Sequence, residues 1–254
     1  MDKKYELLMD NTIEFDGHTL CRIRALRSFG SVQEGQLGGF VESEENLSHD
    51  GLAWVCSWGP SMIYGNACVF GDADVSDGAE VFDNAQVGDN AFVSNAKISG
   101  NACVFGNACV SDAKVFGDAQ VGGNASVSDG ALVYGNALVD GDSSVGEDAR
   151  IYDNAHIYGR AIISYQAQVC GDAQVFGNAK VSNSWIGDHA QVFGNSEIYK
   201  DAKVYGYAQV FGHSDICENA KVYGYAQVFD YAVVKGNAKV RANAQVYGHA
   251  KIYG

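Results

Sequence analysis

Four histidines are the side chains of this 254-residue chain best suited to chemistry near neutral pH: His156, His189, His213 and His249. Such a side chain can act as a general base when a substrate proton comes within hydrogen-bonding reach. His189, in the segment IGDHAQ (residues 186–191), is the candidate to test first. A histidine in a repeated position is more often a tolerated surface residue, so we expect no catalytic residue and hold His189 as the alternative.

The other reactive side chains do not converge on a recognisable site. The glycines are explained by sharp corners between short strands, so no phosphate-binding loop is predicted. Carboxylates are numerous but fall mostly at those corners, where paired-acid catalysis has no supporting cleft. Seven cysteines, at positions 21, 56, 68, 103, 109, 170 and 217, are odd in number and lack metal-ligand spacing. We therefore expect no metal and no cofactor.

A short repeat organises most of the chain. The segment KVYGYAQVF (203–211) recurs unchanged at 221–229, eighteen residues later, and each copy splits into units of six. About thirty-two such units follow one another from Ile63 to the last residue. A fixed short period over most of a chain is typical of a solenoid.

Each unit predicts one strand, and three strands predict one coil. Small, polar, Val and aromatic residues alternate, which is the two-residue period of a strand. Three units have lost one residue, those that begin at Val93, Val110 and Val181, and all three fall in the same third of the pattern. The sequence therefore predicts an all-β, single-stranded, three-sided parallel β-helix of about eleven 18-residue coils.

The three predicted faces carry different outward residues. The glutamine face presents Phe176, Phe193, Phe211, Phe229 and Tyr247 beside Gln174, Gln191, Gln209, Gln227 and Gln245. The lysine face presents Lys97, Lys114, Arg150, Lys203, Lys221 and Lys239 with Phe116, Tyr134, Tyr152, Tyr205 and Tyr223. The serine face presents Ser76, Ser94, Ser111, Ser128, Ser164 and Ser182 and becomes bulkier at Tyr199. The residues predicted to make contact with a partner are Phe176, Phe193, Phe211, Phe229, Tyr247, Gln191, Gln209, Gln227, Tyr205 and Tyr223.

Corner residues also form predicted columns. Asn66, Asn84, Asn101, Asp118, Asn136 and Asn154 share one corner, where stacked amides can hydrogen bond to one another. His213 and His249 share another corner two coils apart, with Tyr231 between them. Strand spacing places these two histidines about 10 Å apart, too far to share a zinc ion.

Residues 1–54 do not repeat and are predicted to form an N-terminal β-hairpin cap, ahead of a β-helix over residues 55–254. The Asp16–Gly17 pair between two apolar-alternating segments is a hairpin signal. An uncovered β-helix end exposes unpaired backbone, which is why a cap is expected there. The repeat runs to the last residue, so we also expect the C-terminal end to meet a second copy or a partner strand.

Composition and charge limit which cellular compartment and which kinds of partner are expected. The N-terminal residues lack the apolar core of a signal peptide, and no segment is apolar enough to cross a membrane, so a cytoplasmic protein is predicted. The net charge is −14 and uneven: −5 over residues 1–71, −11 over 72–154 and +2 over 155–254. Such an acidic chain is not expected to bind nucleic acid directly.

The units fit the pattern [Leu/Ile/Val]-x-x-x-[small]-x, for instance VFGNAK at residues 175–180, and resemble the left-handed β-helix hexapeptide-repeat superfamily. Its best-known members are acyltransferases and γ-carbonic anhydrases. The segment at residues 20–55 resembles the N-terminal part of uncharacterised bacterial and phage hexapeptide-repeat proteins labelled as acyltransferases. The resemblance implies a left-handed coil. Here Phe or Tyr often follows the aliphatic residue, where the enzymes tend to have small residues.

Three functional hypotheses follow. The first is a non-catalytic rod that binds protein, either as a homo-oligomeric scaffold or as a phage or bacterial inhibitor of a host protein. The second, implied by the resemblance, is an acyltransferase that uses acyl-coenzyme A and His189 at a subunit interface. The third is an acidic DNA mimic that uses the carboxylates of residues 72–154.

Overall fold

Short parallel strands form in each unit of the repeat, as predicted. The computed structural model describes residues 3–254. The chain divides into two compact units, Met1–Gly123 and Asn124–Gly254. Together the units contain about 12 turns of about 18 residues, built from three sets of parallel strands. The predicted three-sided parallel β-helix is therefore confirmed. The helical structure within residues 3–254 is a single three-residue 3-10 turn, Glu44–Asn46.

In the first unit, strands lie on the three predicted faces. The lysine face has Met62–Ile63, Glu80–Val81, Lys97–Ile98 and Lys114–Val115. The glutamine face has Cys68–Val69, Gln86–Val87, Cys103–Val104 and Gln120–Val121. The serine face has Trp54–Val55, Asp74–Ser76, Phe92–Ser94 and Cys109–Ser111.

The second unit repeats the same three faces. Its lysine face has Leu132–Val133, Arg150–Ile151, Gln168–Val169, Trp185–Ile186, Lys203–Val204, Lys221–Val222 and Lys239–Val240. Its glutamine face has Leu138–Val139, His156–Ile157, Gln174–Val175, Gln191–Val192, Gln209–Val210, Gln227–Val228 and Gln245–Val246. Its serine face has Ser126–Val127, Ser144–Val145, Ile162–Ser164, Lys180–Ser182, Glu197–Tyr199, Asp215–Cys217, Val233–Lys235 and Lys251–Tyr253.

The interior consists of columns of Val or Ile alternating with columns of Ala. Almost every one of these side chains is fully buried, for example Ile98 in the first unit and Val210 in the second. Burial of one such aliphatic side chain contributes about 1.5–3 kcal/mol. The shortened units take the predicted place, because Val93 pairs with Val110 and Val181 pairs with Ile163 on the serine face.

Corners turn through residues in the left-handed backbone region. Gly100 has φ +68°, and a Cβ there would lie 2.8 Å from the backbone nitrogen of Gly117, so a side chain does not fit. Asp83 takes the same conformation with φ 59°. Its Oδ2 accepts a 2.9 Å hydrogen bond from the Gly100 N–H. Asp89, Asp188 and Asp230 accept from glycine N–H groups in the same way. This arrangement gives many of the acidic residues a structural role.

The predicted hairpin is present as β1 (Tyr5–Phe15) and β2 (His18–Ala25), which pair antiparallel across Asp16 and Gly17. A third strand, β3 (Leu37–Val41), pairs antiparallel with β2 and parallel with Met62–Ile63. The 1–54 cap predicted from the sequence thus lies within the first unit. Within residues 3–254, no helix has the length and apolar content to span a bilayer.

The N-terminal cap covers the end of the first coil by hydrogen bonding. Each coil donates its N–H groups to the next coil, as Cys68 does to the Ala85 oxygen, so the first coil presents free carbonyl oxygens. The Lys4 ammonium donates to the Ala53 oxygen at 2.8 Å, and the Tyr5 hydroxyl donates to the Leu47 oxygen at 2.7 Å. Backbone N–H groups of residues 40, 42 and 48 cap further carbonyls. An end cap of this kind removes the cost of buried, unpaired acceptors.

Candidate binding face

The aromatic residues of the glutamine face in the second unit form a continuous ladder. Ring centroids of Phe176 and Phe193 lie 4.8 Å apart, those of Phe193 and Phe211 4.9 Å apart, and those of Phe211 and Phe229 5.0 Å apart. These three pairs are parallel to within 4°. Tyr247 continues the ladder at 5.4 Å from Phe229, so the predicted column is confirmed.

The ladder begins one coil earlier than predicted. Tyr158 stacks on Phe176 with centroids 4.7 Å apart, and His156 lies against Tyr158 at 4.3 Å. The 18-residue spacing between Tyr158 and Phe176 was available in the sequence as a signal. We call the column Tyr158, Phe176, Phe193, Phe211, Phe229 and Tyr247 the aromatic ladder.

A second column on the same face consists of hydrogen-bonded glutamine amides. The Nε2 of Gln209 donates to the Oε1 of Gln191 at 2.9 Å, and the Nε2 of Gln227 donates to the Oε1 of Gln209 at 2.8 Å. Gln245 donates to Gln227 at 2.8 Å, and Gln191 donates weakly to Gln174 at 3.5 Å. Each amide retains a second N–H and a second lone pair for a partner. We call this column the glutamine ladder.

The two ladders give the face a defined chemistry. Stacked rings cover much of one another's faces, so a partner meets mainly ring edges, which carry partial positive charge. The phenylalanine rungs are half-buried, and Tyr247 is exposed. Both ladders consist of uncharged residues. A partner can therefore cover this surface without burying an ion.

Aromatic residues at the corner before the glutamine ladder were not predicted to take part. His189 stacks on Tyr207 with centroids 4.6 Å apart, and Tyr207 stacks on Tyr225 at 5.1 Å. Together with four glutamines and Asp172 they line a groove of about 530 Å³. The three positions are spaced by eighteen residues, which is the signal that sequence reasoning missed.

His189 also makes the contact that general-base chemistry would need. Its Nδ1 lies 3.2 Å from the Asp172 Oδ2, and both side chains are about half exposed. A carboxylate on one ring nitrogen orients a histidine and leaves its second nitrogen for a substrate. The structure therefore places His189 in an open groove beside a carboxylate, but brings no second candidate base to it.

The other histidines lie elsewhere. Burial lowers the pKa of His156, although Asp140 opposes that effect. His213 and His249 lie on either side of Tyr231, with centroid distances of 5.0 and 5.2 Å, so the predicted corner order is confirmed.

No group of three or more metal-ligating side chains suited to a metal ion occurs within residues 3–254.

The lysine face carries a shorter aromatic column in the second unit. Tyr205 and Tyr223 stack with centroids 4.9 Å apart, and Trp185 tilts towards Tyr205 at 5.8 Å. Tyr205 and Tyr223 directly follow the strands Lys203–Val204 and Lys221–Val222, and Lys203 and Lys221 lie next to each other in register. Covering this face would desolvate adjacent like charges.

The corner amides behave as predicted. In the first unit, Asn66 donates to Asn84 at 3.0 Å, Asn84 donates to Asn101 at 3.0 Å, and Asn101 donates to Asp118 at 2.8 Å. In the second unit, Asn136 donates to Asn154 at 3.0 Å.

No protein-family model matches the chain, and no curated protein matches it significantly. The class that the fold defines is a parallel β-solenoid, consistent with a β-helix superfamily. Membership of the hexapeptide-repeat superfamily, and the likeness of residues 20–55 to phage and bacterial proteins, stay predictions from the sequence.

Proposed function

We propose that the chain is a non-catalytic binding protein, and that the glutamine face of residues 158–247 docks on a second copy of the same chain. The observation that carries the proposal is the pair of uncharged ladders, with rungs repeated once per coil at 4.7–5.4 Å. Eight residues of this face were predicted from the sequence to contact a partner: Phe176, Phe193, Phe211, Phe229, Tyr247, Gln191, Gln209 and Gln227. Tyr158 was not among them, and the other two predicted residues, Tyr205 and Tyr223, belong to the lysine face and lie outside the proposed contact.

The rung spacing favours a partner with the same period. Neighbouring strands of any β-helix are about 4.8 Å apart, whereas side chains on one side of an extended peptide recur about every 6.8 Å. A second β-helix therefore matches all rungs at once, whereas a single extended segment drifts out of register within two or three rungs. A two-fold symmetric pair also uses the same patch on both copies, which is the commonest oligomer.

The experiment is the mass in solution of the triple variant Phe193→Ser, Phe211→Ser and Phe229→Ser. We expect the wild-type chain to sediment as an oligomer and the triple variant to sediment as a monomer with unchanged circular dichroism. The matched control is the double variant Tyr205→Ser and Tyr223→Ser on the lysine face, which should keep the wild-type mass. A monomeric wild-type chain, or an unchanged mass of the folded triple variant, contradicts self-docking.

A different protein is the alternative occupant of this face, as in the hypothesis of an inhibitor of a host protein. Charge gives this alternative no extra support, because the ladders offer no ion pair to a partner. A wild-type chain that is monomeric alone, yet loses binding to a purified partner on triple substitution, would favour it over self-docking.

The Asp172–His189 contact favours one second candidate, acyl transfer from acyl-coenzyme A with His189 as the base. Calorimetric titration with coenzyme A and with acetyl-coenzyme A tests it, with His189→Ala as the control. Heat that disappears in the His189→Ala variant would support acyl transfer. No heat and no thermal shift with the wild-type chain would remove it.

A further inference from the structure

A second unusual surface lies at the corner between the serine and lysine faces of the second unit. Three turns of this corner hold two consecutive non-glycine residues with positive φ: Glu147–Asp148 (53° and 62°), Tyr165–Gln166 (50° and 60°) and Lys200–Asp201 (55° and 65°). At the same corner, the turn before them uses Asp129–Gly130, with φ 51° and 80°.

The residue types in these three turns are poor choices for their backbone. Two consecutive positive φ angles suit Asn-Gly or Asp-Gly, because bulky side chains clash in the left-handed region. The repeat tolerates Asp-Gly at this corner, as residues 129–130 show. Tyr165, Gln166 and Lys200 are therefore held in a conformation that weakens the fold locally, which is the mark of side chains kept for a function.

These side chains surround a recess of about 600 Å³. Tyr165 lies on one side of the recess, and Tyr199 and Lys200 lie on the other. The coil between them supplies only Ser182 and Asn183, because it contains the shortened unit that begins at Val181. Tyr165 is 62% exposed, so its ring is available to a ligand.

The width of the recess suits one flat ring. Tyr165 and Tyr199 are contributed by coils two apart, so these walls are separated by about 9.6 Å along the strand-stacking direction. A ring inserted at the level of the intervening coil would lie about 4.8 Å from each of these two levels. Tyr165 and Tyr199 stand in neighbouring columns, because Tyr199 is in register with Ser182 and Ser164, whereas Tyr165 is the residue after Ser164. The recess is therefore one coil high, with one tyrosine on each side of it in neighbouring columns, and it has room for one flat ring.

The charged groups of the recess have no structural role of the kind seen at other corners. Glu147 and Asp148 lie at one end and Lys200 at the other. Among residues 3–254, these three side chains and the Gln166 amide make no side-chain hydrogen bond or ion pair, and the one contact of the Lys200 ammonium is with the Tyr199 ring at 5.6 Å. The corner asparagines, by contrast, are joined in hydrogen-bonded columns.

We propose that this recess binds a short segment of a partner protein in which an aromatic residue is flanked by a basic and an acidic residue. The aromatic side chain enters between Tyr165 and Tyr199. The basic residue pairs with Glu147 and Asp148, and the acidic residue pairs with Lys200. These two ends come from coils three apart, about 14 Å, which an extended segment of three to five residues can span. This site is separate from the glutamine face and does not depend on self-docking.

The test is an NMR titration of the full chain with capped pentapeptides up to about 5 mM, a concentration that detects weak binding. The probe is glycine-arginine-tryptophan-glutamate-glycine. One control peptide replaces tryptophan with alanine, and a second replaces arginine with glutamate. We expect shifts confined to residues around 147–200, roughly fivefold weaker binding of the second control, and no saturable binding of the first.

The decisive variant is Tyr165→Asp with Gln166→Gly, which restores the Asp-Gly turn. Its melting temperature should rise by about 2–4 °C while binding of the probe is lost. The matched variant is Asp77→Tyr with Gly78→Gln, at the corresponding turn of the first unit, where φ is 54° and 82° and a Cβ on Gly78 meets nothing within 4 Å. It should melt at a lower temperature and retain binding. The proposal is overturned if the probe binds no better than the alanine peptide, or if the Asp-Gly variant binds it like the wild-type chain.

Discussion

The two units have the same coil and the same buried columns but different outer surfaces. On the glutamine face of the first unit, Phe70 and Phe105 alternate with Gly88 and Gly122. Each phenylalanine ring lies over the glycine of the next coil, so closely that a Cβ on that glycine would be 2.4 Å from the ring. In the second unit every coil from Tyr158 to Tyr247 supplies a ring, and the rings stack. Alternation with glycine lets a ring lie over the backbone, whereas repetition forces it to stack and to present its edge.

The two units also differ in their corner residues and in their net charge. The corner before the glutamine face carries a column of asparagine amides in the first unit, whereas in the second unit it includes the stacked rings of His189, Tyr207 and Tyr225. Residues 1–123 contain 18 acidic and seven basic residues, and residues 124–254 contain 13 and ten, which are net charges of −11 and −3. The first unit therefore has a hydrated polar surface, and the second has the surface suited to contact.

The largest expected effect on stability comes from truncating a buried side chain in the core that the two units share. Ile98→Ala in the first unit and Ile198→Ala in the second each remove a fully buried side chain. We expect each change to lower the free energy of unfolding by about 3 kcal/mol, because both leave a cavity in the same packing. Urea denaturation followed by circular dichroism measures this loss. A cost several-fold smaller in one unit would show that the two cores are not equivalent.

A smaller effect separates the two outer surfaces. Phe211→Ala removes two stacked contacts and should lower the free energy of unfolding by about 1–2 kcal/mol. Phe70→Ala in the first unit should cost about half as much, because among residues 3–254 Phe70 has no ring stacked on it. Thermal melts of both variants, made at a concentration where the chain is monomeric, test the difference. Equal losses would mean that stacking adds nothing to the ladder.

The pH dependence of the free energy of unfolding should reveal the two residues that cap the first coil, Lys4 and Tyr5. Burial lowers the pKa of the Lys4 ammonium to about 8, and Arg27 adds to that effect. Because the folded state releases this proton before the unfolded state does, the free energy of unfolding should rise from pH 8 towards pH 10. Burial raises the pKa of the Tyr5 hydroxyl, so stability should fall again above pH 10.

Lys4→Met is the control for that profile. The rise between pH 8 and pH 10 should disappear in this variant, and its overall stability should be lower because the Ala53 oxygen loses its donor. Chemical denaturation at half-unit pH steps gives both curves. A wild-type curve that is flat or falling from pH 8 to pH 10 would contradict the assignment to Lys4.

The smallest expected effect on stability comes from giving a corner of the second unit the residue type found at the same corner of the first unit. Tyr207→Asn in the second unit replaces a ring between His189 and Tyr225 with the residue used in the first unit. We expect a change of less than about 1 kcal/mol, since a stacked pair and an exposed amide contact are of similar strength. Differential scanning calorimetry is sensitive enough to decide. A large loss would show that the corner stack is a main determinant of the second unit's stability.

The sequence predicted the fold because its period is short and uninterrupted. The shortened units at Val93, Val110 and Val181 set three strands to a coil, and this phasing placed Phe193, Phe211 and Phe229 in one column. What the sequence did not reveal depends on side-chain direction. The groove beside His189 and the recess beside Tyr165 depend on how corner residues project, and the six-residue pattern does not specify that. The caps from Lys4 and Tyr5 depend on long-range contacts of a segment that does not repeat.

Hydroxyl-radical footprinting across a range of protein concentrations tests the central claim most directly. As the concentration rises through the association midpoint, oxidation of Phe193, Phe211 and Phe229 should fall several-fold, while oxidation of Tyr205 and Tyr223 stays constant. Ladder residues that oxidise at the same rate at every concentration, or protection that falls on the lysine face instead, would contradict self-docking through the glutamine face.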